Sequence, residues 1–136
     1  MTASVLVIAD HAEIATLVAC YLTSAGFRPL VASHLRHATL ILQREAPAAI
    51  VLDLATPGHC ESVIQWVRRD PTRAGMAIVR VSARARHAGV ARAGSAMELH
   101  VPKPFTPRQI VDGVRTALAR RAARQRVVAP VVRMAS

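Results

Sequence analysis

Four side chains able to do chemistry stand at corresponding points of the sequence, each at the end of a short apolar run. Asp10 follows Val5-Leu6-Val7-Ile8-Ala9, and Asp53 closes Ala48-Ala49-Ile50-Val51-Leu52. Ser82 closes Met76-Ala77-Ile78-Val79-Arg80-Val81, and Lys103 follows Leu99-His100-Val101-Pro102. A charge carried to the end of a buried run is costly without company, so Asp53 calls for a cation, hydrogen-bond donors or chemistry that uses it. Two carboxylates brought together repel, and an oxygen-rich cleft of that kind suits a hard cation such as Mg²⁺, which keeps several waters and takes a phosphate oxygen as a further ligand. An ammonium would balance a phosphoryl group, and a hydroxyl would donate to one of its oxygens. Lys103 is the single lysine among eighteen basic residues, and its compact ammonium differs chemically from the guanidinium used everywhere else.

The elements that must position these residues follow from periodicity. The continuous apolar runs before Asp10, Asp53, Ser82 and Lys103 have the pattern of strands buried on both faces. Residues 27–31 form a further short strand, with Pro29 suited to a sheet edge. Between strands, Ile14, Leu17, Val18, Tyr21 and Leu22 recur at helical spacing and predict a first helix ended by Gly26. Ser33 can cap a second helix reaching about Glu45, with Leu35, Ala38, Ile41 and Leu42 inward. A third is predicted over Ser62 to Arg69, stopped by Asp70-Pro71. Arg84 to Ala93 reads as a fourth with a thin apolar face, and Thr106-Pro107-Arg108-Gln109 opens the last with a capping-box pattern and proline at the first helical position.

Strands and helices in alternation specify a doubly wound α/β domain with a five-stranded parallel sheet covered on both faces. Ligand sites of such sheets lie beyond the carboxyl ends of the strands where the strand order reverses, here between the first and third strands. That placement gathers Asp10, Asp53, Ser82 and Lys103 at one edge from four distant places in the sequence.

At 136 residues the chain has room for one domain. Cys20 and Cys60 show neither paired spacing nor a zinc-ligand pattern, which fits a reducing cytoplasm. The histidines have no metal spacing, and His59-Cys60 lacks a third group to orient a thiol nucleophile. No apolar stretch approaches the ~20 residues needed to span a bilayer, so no membrane insertion is expected. Charge is uneven: residues 1–67 carry three arginines against five acids, residues 68–136 fifteen basic residues against three acids. The few aromatics available to stack bases argue for a protein partner over nucleic acid. Residues 121–136, basic and then aperiodic, are expected to fray beyond a domain of residues 1–120.

Val5 to Asp10, Val51-Leu52-Asp53-Leu54-Ala55-Thr56-Pro57, Arg68-Arg69-Asp70-Pro71, Val81-Ser82-Ala83 and Lys103-Pro104-Phe105 resemble, in this order, the receiver domain of bacterial two-component response regulators. The similarity spans about residues 4–120. It implies a flavodoxin-like strand order, 2-1-3-4-5, and a cytoplasmic signalling protein of the single-domain chemotaxis type. It implies that Asp53 accepts a phosphoryl group from a sensor histidine kinase or phosphotransfer protein. Mg²⁺ would be held by Asp10, Asp53 and the backbone carbonyl of Ala55. Lys103 would pair with the acyl phosphate and Ser82 would hydrogen-bond to it. His100 stands where the family has an aromatic switch residue, which alters the face formed by the fourth helix, fifth strand and last helix for a downstream partner. The domain would be a self-phosphorylating acceptor and not an enzyme in the ordinary sense.

The sequence departs from the family at three points. Ala9 replaces the first of two consecutive acids, which predicts weaker Mg²⁺ binding. Glu61 replaces a glycine, and Gly94 lies earlier than the glycine expected before the fifth strand. Two rival readings stand beside the first: a pseudo-receiver that binds partners without phosphate, and a metal-dependent phosphatase using Asp53, for which Ala55 occupies the place of the needed acid/base.

Overall fold

The computed structural model describes residues 2–55, 57–82 and 98–135, with Pro57, Ser82 and residues 126–135 described by their backbone alone. Strands β1 (Ser4–Ala9), β2 (Arg28–Ala32), β3 (Ala49–Asp53), β4 (Ala77–Ser82) and β5 (Glu98–Pro102) form one parallel sheet in the order β2-β1-β3-β4-β5. Helices α1 (Ala12–Ser24), α2 (Leu35–Arg44), α3 (Pro57–Arg69) and α4 (Pro107–Ala135) alternate with them. The doubly wound α/β fold expected from the sequence is thus present. The helix predicted over Arg84 to Ala93, and Gly94 with it, lies outside the described residues. Pro29 falls on β2, an edge strand, where its missing N–H costs no ladder bond.

Side-chain size sorts the two faces of the sheet. Val5, Val7, Ala9, Val51 and Val79 point into a core under α1 and α4, while Leu6, Ile8, Ile50, Leu52 and Ile78 point into a second core under α2 and α3. The smaller residues let α4 come close: a Cβ on Gly113 would meet Val101 Cγ2 at 3.3 Å. That register places Asp53 opposite Ala9, at the mouth of the α1 and α4 side.

The helix ends follow local chemistry, with corrections to the sequence reading. α1 closes in a Schellman arrangement in which the Gly26 N–H donates to Thr23 O and the Phe27 N–H to Leu22 O, with Gly26 at φ 94°. Its buried face is Ala15, Val18 and Leu22; Leu17 and Tyr21, expected inward, are exposed. On α2, Ala38 and Leu42 are buried but Leu35 is exposed. Its cap is His34, whose Nδ1 accepts the His37 N–H at 3.2 Å, in place of Ser33. α3 starts at Pro57, five residues before the expected Ser62, because proline is preorganised for a first helical position. Ser62 Oγ instead donates to Gly58 O within the helix. The Thr106/Gln109 capping box of α4 forms in both directions, at 2.7 and 3.2 Å. The α4 backbone is helical from Pro107 to Ala135, and the alanines and arginines of residues 115–126 favour that conformation.

Candidate functional site

β1 and β3 are neighbours at the point where the strand order reverses, and their carboxyl ends deliver the two acids side by side. The Asp10 N–H donates to Asp53 O at 3.2 Å, extending the ladder one residue past β1. The Asp10 carboxylate turns to the next loop, where Oδ2 accepts the Ala55 N–H at 2.6 Å. One acid therefore fixes the backbone that follows the other.

Asp53 is the buried polar residue of the core, its side chain 8% exposed. Lys103 Nζ lies 2.7 Å from its Oδ1, with the lysine side chain 35% exposed. The charge that the sequence left unpartnered thus has its cation, carried from fifty residues downstream by the end of β5. The loop holding it is anchored on both sides: Val101 is buried, and Phe105 packs against the core under α1 and α4. The Lys103–Pro104 peptide is cis.

Ser82 ends β4 opposite Pro102, which puts its backbone at the same sheet edge; its side chain lies outside the described residues. His100 is placed differently from these four. It sits inside β5 opposite Arg80, on the strand face away from Asp53, with a buried Nε2 that has no hydrogen-bond partner among the described residues. Burial, and then the nearby Arg80, holds its pKa below the ordinary value, with Glu61 opposing.

Arg80 and Glu61 form a pair that sequence reasoning missed. They make an ion pair joining β4 to α3, with the Arg80 side chain 13% exposed. The departure at Glu61 therefore has a structural counterpart, since a guanidinium inside a buried strand needs an acid. The signal was available: Arg80 interrupts an otherwise apolar run. Cys60 is buried beneath the Asp53 loop, its Sγ 3.8 Å from Leu54 O, and burial pushes its thiol pKa up. A thiol held protonated is a poor nucleophile, so the His59-Cys60 pair gains no support.

As a metal site the edge offers hard oxygen donors, the Asp10 and Asp53 carboxylates and the Ala55 carbonyl. Such a set matches Mg²⁺, which retains water in the remaining positions. Among the described residues no group of three or more acids, histidines or cysteines could hold a metal.

No protein-family profile matches the sequence. Solved structures do match in fold. A sensor protein from Polaromonas sp. JS666 superposes with a TM-score of 0.76 at 25% identity, covering 88% of this chain and 98% of that one. A response regulator receiver protein from Sinorhizobium medicae WSM419 gives 0.71 at 25% identity, covering 88% and 97%. The chain has the receiver-domain fold. The receiver domain of sensor histidine kinase PA1611 from Pseudomonas aeruginosa PAO1, which has a magnesium ion coordinated in its active-site cleft, gives 0.73 at 18% identity, covering 88% and 99%. The matches take in nearly the full length of each of these neighbours.

Proposed function

We propose that this receiver domain accepts a phosphoryl group on Asp53 from a phosphohistidine of a sensor kinase or phosphotransfer protein, and signals to a protein partner. The carrying observation is the buried Asp53 carboxylate at the β3 terminus with Lys103 Nζ 2.7 Å from one of its oxygens. Lys103 orients the carboxylate through Oδ1, leaving Oδ2 to attack phosphorus. The new Oδ2–P bond forms as the P–N bond breaks, and the imidazole leaves with the electron pair and takes up a proton. Lys103 then faces an acyl phosphate of greater negative charge, an interaction stronger than the one it makes with the carboxylate alone. Asp10, Asp53 and the Ala55 carbonyl would hold Mg²⁺, which supplies neutralising charge to the phosphoryl oxygens. Ser82 is assigned as hydrogen-bond donor to the phosphoryl group. His100 is assigned to the change of the β5 and α4 face that a downstream partner reads. A cytoplasmic location fits the free thiols of Cys20 and Cys60.

Incubation with acetyl phosphate and Mg²⁺, followed by intact mass measurement, is the direct test. A single phosphoryl adduct that disappears in Asp53→Asn supports the reading; no adduct from any donor overturns it.

The pseudo-receiver alternative is favoured by one observation, the Ala9 methyl buried opposite Asp53. Under the first reading Ala9→Asp tightens Mg²⁺ binding, measured by titration calorimetry. Unchanged affinity speaks for a domain that binds its partner without phosphate.

A further inference from the structure

Helix α1 has an outer face nearly without charge, in which Leu17, Cys20 and Tyr21 stand exposed among threonines and a serine. Of its thirteen residues only Glu13 is charged. Leu17 and Tyr21 are each 43% exposed, and Cys20 is exposed between them. A surface helix ordinarily turns charged residues outward, and a helix apolar on both sides is ordinarily covered on both. Helix α2 also exposes Leu35 and Leu40, but sets them among exposed Arg36, His37, Gln43 and Arg44, whereas the outer face of α1 carries a single charge.

Charge identifies what can cover α1. The positive charge lies in residues 68–136, whose arginines repel a second copy and draw an acidic partner. Residues 1–35 hold Asp10, Glu13 and Arg28 as their charged groups, so the α1 face is where two like-charged molecules can meet with least repulsion. The ends of the face are also opposite in sign. Glu13 lies in the first turn of α1, whereas α4 packs beside α1, runs in the same direction, and carries exposed Arg120 and Arg124 toward its far end. An antiparallel twofold pairing brings the acidic end of each copy against the basic end of the other.

We propose that this protein self-associates through α1, two copies packing Leu17, Cys20 and Tyr21 against one another in an antiparallel twofold contact. A thirteen-residue helix is about 20 Å long, and its outer face is small beside the ~800 Å² per partner of a standard interface. The dimer is accordingly a weak one, governed by protein concentration. The contact is independent of the phosphoryl-acceptor reading.

Sedimentation equilibrium of the full chain over a range of concentrations tests it, with Leu17→Glu as the variant. The expected result is an average mass rising toward twice the monomer's, abolished by the charge placed in the face while circular dichroism stays unchanged. Cys20 reports on geometry, because a twofold contact centred on α1 sets the two Cys20 thiols near each other. Diamide should then yield a disulfide-linked dimer in the wild type and in Cys60→Ser, and none in Cys20→Ser. A monomer at every concentration overturns the proposal, and if Leu17→Glu then lowers the rate of phosphorylation by a kinase, the face belongs to that partner. Association that survives Leu17→Glu also overturns it, placing the contact elsewhere.

Discussion

Lys103 and Asp53 are each other's main reason for being where they are. A carboxylate with 8% of its side chain exposed is stabilised by an ammonium 2.7 Å away, and removing the ammonium leaves a buried charge with its desolvation uncompensated. Lys103→Met should therefore destabilise the fold by about 1–3 kcal/mol, toward the lower end because solvent reaches the lysine and screens the pair. Asp53→Asn should cost less, since the lysine can turn to water and the amide needs less solvation. In the double variant much of the Lys103→Met penalty should vanish. Urea denaturation of the four proteins measures this cycle, and strictly additive losses would show that the pair carries no coupling.

The same residue scale shows where the sequence was legible. Asp10, Asp53 and Lys103 could be placed together because each closes or follows an apolar run, and a parallel sheet sends all such ends to one edge. Ala55 could be named only through the family resemblance. That its N–H holds Asp10 Oδ2 at 2.6 Å depends on the path of a loop that no periodicity encodes.

At the scale of elements, β5 carries two groups whose titrations pull stability in opposite directions. Burial, then Arg80, depresses the His100 pKa below its ordinary 6.5. As pH falls below that value the unfolded chain binds a proton that the folded chain refuses, so this contribution weakens folding from about pH 6.5 downward. Burial raises the Glu98 pKa above 4.5, partly offset by Arg68. The folded chain keeps that proton when the unfolded chain has lost it, so the associated stability is present below about pH 4.5 and is lost as pH rises through the higher folded value. His100→Phe should flatten the decline of stability between about pH 7 and 5, and Glu98→Gln should flatten the opposing slope above 4.5. Denaturation midpoints across that range separate the two; an unchanged profile in His100→Phe would sink the account of β5.

Helices were harder to read than strands for a definite reason. α1 offers apolar residues at Ile14, Leu17, Val18, Tyr21 and Leu22, and a helix apolar on both sides gives spacing no means of choosing the inward one. The start of α3 was missed because Thr56-Pro57-Gly58 reads equally as a chain break and as a helix opening.

Across the whole molecule, α4 ties the two ends of the sheet together. Its capping box sits just past Lys103 at the carboxyl edge, and its Arg121 donates to Ala48 O at 2.9 Å, just before β3 starts at the opposite edge. β3 is the strand that ends on Asp53, so this contact braces the acceptor strand from below. A hydrogen bond from a charged donor to a partly buried carbonyl is worth about 1.5–3 kcal/mol, less what water recovers at an exposed end. Arg124 beyond it is exposed, and the basic residues of this end add to the self-repulsion of a +10 chain. Two truncations separate these effects. A chain ending at residue 125 should keep its denaturation midpoint or raise it, the rise being larger at low salt, where screening is weakest. A chain ending at residue 120 should lose about 1–2 kcal/mol, and Arg121→Ala in the full chain should reproduce most of that loss. If both truncations behave alike, the basic end of α4 is no part of the fold, and the bracing of β3 by Arg121 is without effect.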